Sequence, residues 1–175
     1  MTPFRNINVY NVPKPRFVEF SQQPDMLDFL AKTSGLSTRK VYDRVETDTR
    51  ISWKVSVALT ENLPPWLHRF FPSDQLRFIN ECVLEKDTQL TRFRIYDPKI
   101  EKYLKIGGVV TLREDTPGQT TMVMEGTVEA LVPVVGKKIE QFVAERSVVS
   151  WNRDAIQRGI FIDQQLAREA AAARA

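Results

Sequence analysis

The chain has 175 residues, 42% of them apolar and 27% charged, enough for one domain with a full hydrophobic core and too apolar for disorder to be the default away from the ends. Its 25 basic and 22 acidic side chains leave a formal charge of +3, too small and too evenly spread to name nucleic acid as the partner, though it permits weak attraction to an anionic membrane surface. One cysteine (Cys82) and one histidine (His68) exclude an intrachain disulfide and a zinc site built from several nitrogen and sulfur ligands, and a Cys-His or Ser-His-Asp pair would need His68 itself.

The first candidate element is a short strand over 4–12, where Ile7 and Val9 alternate loosely ahead of Pro13 and Pro15. Pro15 suits the first turn of a helix ending near Gln22. Residues 24–33 form a better one, with Met26, Leu27, Phe29 and Leu30 at helical spacing and Gly35 as its stop. From Ser37 the period changes to two. Ile51, Trp53, Val55, Val57 and Leu59 alternate with smaller or polar residues and give the clearest strand of the chain. Residues 39–47 precede it across the polar link 48–50, which predicts a hairpin; 76–85 and 89–96 predict a second, and 103–114 and 119–131 a third around Asp115 to Gly118. In the third hairpin Leu104, Ile106, Val110 and Leu112 share a face of one strand, and Met122, Met124, Val128 and Ala130 a face of the other. Pro133 then opens a long helical pattern. Ile139, Phe142, Val143, Arg146, Val149 and Arg153 fall at three- and four-residue steps, the stripe continues through Ile156 and Ile160, and Gly159 is a candidate kink.

Strands and helices are segregated rather than alternating, which predicts an α+β domain with an antiparallel sheet of about seven strands. One helix cannot cover both faces of such a sheet, so the economical arrangement is a curved sheet gripping the C-terminal helix. The expected boundaries are a single domain over 1–170 and a tail over 171–175. No stretch approaches the roughly 20 apolar residues of a membrane span, and the first five residues lack the apolar core of a secretory signal. With the lone cysteine, these features point to a soluble protein of a reducing interior, cytoplasmic or organellar.

The segment MEGTVEALVPVVGKKIEQFV, residues 124–143, looks like the last strand of a helix-grip protein running through a Val-Pro-x-x-Gly-x-x-Ile-Glu turn into the final helix. With the order of elements, it makes nearly the whole chain resemble the superfamily of START domains, the birch-pollen allergen and polyketide cyclases, in an uncharacterised branch. LPPWLHRFF, residues 63–71, resembles the same branch. A weaker resemblance, in the Leu-Pro-x-Trp-Leu segment and the Ile-Glu helix, is to PRELI-like phospholipid-transfer proteins, from whose pattern the N-terminal part departs. The superfamily implies a cavity between sheet and helix but no single function. Locally, Pro133 presets helix entry, Gly136 so early in a helix suggests close approach to the sheet, and Glu140 near the helix start favours the dipole.

Candidate ligand-binding residues follow from the strand faces and the helix: Trp53, Val55, Val57, Phe93, Ile95, Leu104, Ile106, Met122, Met124, Phe142 and Arg146. By periodicity this surface is either a packed core or a cavity wall with methionines adapting to a flexible ligand; the resemblance implies the cavity. Gly107, Gly108 and Gly126 remove side-chain volume inside strands and let a sheet bend. Trp66, Leu67, Phe70 and Phe71 make either a lid or membrane-docking element, or a helix capping the open end of the sheet. Arg146, like Arg153, either meets a ligand carboxylate or phosphate or pairs with a strand carboxylate such as Glu81 or Glu125. Cys82 reads as a small core residue, Asp43 as inward or surface, and Arg92, Arg94, Lys102 and Lys105 as a basic strand surface. The expected function is binding, and transfer, of a lipid or other hydrophobic small molecule, with no cofactor and no metal. The rivals are a cyclase- or hydrolase-like enzyme using Asp43, Glu81, Glu125 or His68, and a protein-interaction module with a filled core that presents residues 66–71.

Overall fold

The computed structural model describes residues 1–33, 38–58, 64–68 and 77–174. In chain order they form β1 (Thr2–Tyr10), α1 (Lys14–Gln22), α2 (Pro24–Thr33), β2 (Thr38–Glu46), β3 (Arg50–Ala58), α3 (Pro65–His68), β4 (Arg77–Glu85), β5 (Leu90–Tyr96), β6 (Leu104–Thr116), β7 (Gln119–Ala130) and α4 (Gly136–Ala172). The strands make one antiparallel sheet in the order β1-β7-β6-β5-β4-β3-β2. Strands β2 to β7 meander. The first strand instead pairs with the last, so α1 and α2 carry the chain from one edge of the sheet to the other. No described helix is long and apolar enough to cross a membrane.

Alternation decides which way each strand faces. Phe4, Gly126, Gly108, Phe93, Cys82 and Trp53 stand in register as one row across the sheet, and Val128, Ile106, Ile95, Asn80, Val55 and Val41 as the next. These rows face α4. The intervening row of Lys54, Glu81, Arg94, Gly107 and Thr127 is turned outward, as the polar half of each strand pattern requires. Gly108 and Gly126 lie opposite each other, and a side chain on either meets occupied space: a methyl group on Gly108 would overlap the Glu125 carbonyl, and one on Gly126 the Phe4 ring. The volume vacated at Gly126 is therefore taken up by Phe4, and that at Gly108 by the β7 backbone, rather than left open.

Two apolar cores result. One holds Phe4, Leu67, Cys82, Phe93, Leu104, Ile106, Val128, Ile139 and Ala144, between the sheet and the first half of α4. The other joins Phe17 and Phe20 of α1 and Met26 and Leu30 of α2 to Tyr10, Met122, Ala155, Phe161 and Ile162. Helix α4 runs unbroken through Gly159 and spans both. Its buried stripe is Ile139, Ala144, Ala155 and Ile162, with Val148 and Trp151 partly covered. The expected stripe through Val149, Ile156 and Ile160 is on the outside instead, 50%, 64% and 41% exposed. Both sets follow three- and four-residue steps, and the buried one contains small alanines that admit the helix close to the sheet. Pro133 lies in the turn before α4 rather than in it. Gly136 is the first helical residue, and a Cβ there would sit 2.6 Å from the Ala130 carbonyl oxygen, as close approach predicts.

Candidate ligand-binding site

Helix α4 approaches the sheet closely at one side, along β1 and β7, and reaches α2 beyond it. On the β1 side Thr2 Oγ1 donates to Glu140 Oε2 at 2.8 Å, and Asn6 Nδ2 to Asn152 Oδ1 at 2.8 Å. At the opposite edge Arg39 of β2 reaches Asp154 of α4 at 2.9 Å, the two side chains only 14% and 13% exposed. The helix is thus held by side chains to both edges, while the central strands β3, β4 and β5 bow past it.

The inward side chains of those central strands are not sealed. Trp53, Val57, Phe78, Asn80 and Ile95 all face α4 and remain half-buried, as do Val110 and Met124 on the neighbouring strands. Trp53, Ile95, Phe142 and Met124 pack against the first core, where Phe93, Leu104 and Ile106 are buried; Val55 is buried beside them, and Met122 belongs to the second core. Trp151 is the aromatic hub, 4.8 Å from the Phe4 ring and 5.6 Å from Phe93. Arg146 lies on the exposed face of α4 with its guanidinium over the Phe142 ring at 5.6 Å, outside the interior where a ligand contact was expected.

The short helix α3 caps the first turns of α4. Trp66 meets Phe142 edge-on at 6.0 Å, and Lys138 sits over the Trp66 ring at 4.5 Å. Leu67 is 1% exposed and belongs to the first core. Leu67 is thus a core residue, while Trp66 is partly covered. Phe70 and Phe71 lie outside the described residues.

The interior polar groups are ones that local sequence did not single out. Tyr10 of β1, Arg39 of β2 and Asp154 and Arg158 of α4 converge where the two cores meet. Burial raises the Tyr10 phenol above its ordinary value, against the opposing charge of Arg158. Burial likewise pushes the Cys82 thiol up to about 12, with the charge of Arg39 acting the other way. Cys82 is therefore a neutral core thiol, and Arg39 projects toward the row that carries it. A signal for this group existed in the sequence: Arg39 is in step with Val41, and Asp154 and Arg158 are four apart. Nothing local says that the two stretches meet.

The acid-base candidates named from sequence go elsewhere. A positive φ of 52° at Asp43, beside a register shift between Tyr42 and Val45, turns its carboxylate out to Lys54 at 3.1 Å. Glu125 is paired outside with Arg5 at 2.9 Å, Glu81 stands in the outward row, and His68 is exposed at the end of α3. The outward basic residues border a depression of about 610 Å³ around Gly107, where Arg94 is paired with Glu101 and Lys105 with Glu129. Among the described residues no three His, Cys, Asp or Glu side chains cluster as a metal site would need.

Known structures with the same architecture include a protein from Thermus thermophilus, 12% identical, with 94% of this chain and 99% of that chain aligned at a TM-score of 0.65. The Zhui aromatase/cyclase from Streptomyces is 10% identical over 98% and 97% of the two chains at 0.57. A START superfamily protein from Mycobacterium smegmatis is 8% identical over 93% and 98%, also at 0.57. These likenesses establish the helix-grip α+β fold. No curated protein matches the chain in sequence. Residues 7–156 match a family model, and the chain belongs to that family, described as "Protein of unknown function (DUF2505)".

Proposed function

We propose that the chain binds a hydrophobic small molecule between α4 and the inward face of β3 to β5. The observation that carries this reading is the incomplete cover of that face. Trp53, Val57, Phe78 and Ile95 point at the helix yet keep solvent-accessible surface, while among the described residues α4 packs on the sheet mainly along β1 and β7 and is tied to β2 by the Arg39–Asp154 pair. A ligand there would gain about 25 cal/mol for each Å² of apolar surface it removes from water. In this reading α3 serves as the lid, with Trp66 resting on Phe142. Transfer between membranes, which the PRELI-like resemblance suggests, would need that lid to lift. Of the four sequence candidates of the enzymatic alternative, Asp43, Glu125 and His68 are exposed and Glu81 stands in the outward row.

Native mass spectrometry of the purified protein, followed by organic extraction, tests the reading. A co-purifying apolar molecule near one per chain is the expected result. A clean ligand-free mass, with no thermal shift from fatty acids, sterols or phospholipids, would leave the packed interaction module standing in its place.

A further inference from the structure

Among the described residues, buried side-chain atoms without a hydrogen-bond partner concentrate in one place: Tyr10 Oη, Arg39 Nε and Nη1, Asp154 Oδ1 and Arg158 Nε. Only Gln89 Oε1 is found elsewhere. Tyr10 is 5% exposed. Buried polar atoms are normally satisfied, and leaving several unmet in one cluster is costly unless something binds there. The surroundings fix them in place: Arg39 is held by Asp154 at 2.9 Å, Arg158 Nη1 donates to Ser21 Oγ at 3.3 Å, and the Tyr10 ring packs on Phe17 at 4.7 Å.

We propose that Tyr10, Arg39, Asp154 and Arg158 form the polar end of the cavity and take the carboxylate of an otherwise apolar acid. This rests on the hydrophobic-ligand reading above and names the chemistry of its head group. Donors outnumber acceptors among the unmet atoms, so the ligand group must accept several hydrogen bonds at once. Two guanidinium groups face one carboxylate, leaving one positive charge to neutralise. A carboxylate supplies a single negative charge and two accepting oxygens. A phosphate monoester, at about −1.5 to −2, overshoots that charge. Arg39 stands in register with Val57 on the inward face of the sheet, so the apolar body of the acid would lie along that face.

Calorimetric titration of the delipidated full chain tests this with two matched pairs, dodecanoate against dodecanol and 2-naphthoate against 2-naphthol. The pairs separate a fatty acid from a flat aromatic acid as the source of the head group. Wild type is expected to favour one acid over its alcohol by about tenfold to hundredfold, the range for hydrogen bonds to charged groups. In the Arg39→Met, Asp154→Leu, Arg158→Met triple variant, which exchanges all three buried charges for apolar side chains, that preference is expected to collapse toward unity. Tyr10→Phe is expected to weaken the acid while leaving the affinity for the alcohol unchanged. Alcohols and acids binding wild type equally, or a preference that survives the triple variant, would overturn the polar site and leave the cavity intact. No binding by any of the four probes would remove the cavity reading and this one with it.

Discussion

Single residues show how much of this fold depends on atoms with no freedom to move. Glu140 is 4% exposed and gathers the Met1 amine at 2.9 Å, the Ala130 N–H at 3.1 Å and the Thr2 hydroxyl at 2.8 Å. The sequence suggests a weak helix-dipole role for it; the structure makes it the rivet joining β1, β7 and the start of α4. The amine hydrogen bond above all, then the Ala130 and Thr2 bonds, hold its carboxyl at about 2 from an ordinary 4.5, against the opposing effect of burial. A depressed carboxylate stabilises the fold fully above its unfolded value, and that contribution fades as pH falls from about 4.5 toward 2. Glu140→Gln is therefore expected to lose about 1–3 kcal/mol at pH 7, with the gap to wild type closing over that acid window in urea unfolding curves. A gap independent of pH would show that shape rather than charge is at stake. Gly108 makes a similar point by sterics: Gly108→Ala puts a methyl group into the Glu125 carbonyl, a backbone atom that cannot swing away, and is expected to cost more than about 2 kcal/mol. Cys82, buried with its thiol at about 12, is expected to resist alkylation at pH 8 until the chain unfolds.

At the scale of elements, α4 separates what periodicity reveals from what it cannot. Its two stripes repeat at the same spacing, and the outer one is richer in Val and Ile, so composition alone points to the wrong face. The distinction is available only from the partner surface, where Ala144 and Ala155 let the helix settle and Trp151 fills the gap between Phe4 and Phe93. Trp151→Ala is expected to cost about 3 kcal/mol or more, whereas Ile156→Ser, at 64% exposed, is expected to change stability by less than about 0.5 kcal/mol. Equal losses from the two would restore the outer stripe as the packed one. The strands were legible because a half-buried antiparallel strand writes its orientation into its own residues, as Ile51 to Ala58 do. The same alternation correctly turned Trp53, Phe93, Ile95 and Met124 toward the helix. Asp43 was not legible, because a bulge reverses the parity that alternation relies on. Nor was the Tyr10, Arg39, Asp154 and Arg158 cluster, whose members come from three elements joined only by the closure of the sheet around α4.

For the whole molecule, the governing feature is that the sheet grips its helix from two edges by different means. At β1 the attachment is distributed over Thr2, Asn6 and the apolar contacts of Phe4, and at β2, among the described residues, it is the Arg39–Asp154 pair. Distributed contacts lose little when one is cut, while a buried ion pair loses its partner's compensation at a stroke. Arg39→Met is accordingly expected to destabilise the chain by about 3 kcal/mol, because Asp154 is left desolvated and unpaired. Arg39→Met with Asp154→Leu is expected to recover most of that loss, since no carboxylate is then left buried without its partner and Arg158 keeps its bond to Ser21. Hydrogen exchange locates the effect. In the single variant the amides of β2 and β3 should exchange about a hundredfold faster through local opening, while those of β1 and β7 keep their protection; the double variant should return β2 and β3 to the wild-type pattern. Such a result would establish the β2 side as a separately closing edge of the cavity, held against α4 by one pair. Protection lost evenly across all seven strands would mean instead that helix and sheet open only together, and that access to the interior must come through the α3 end.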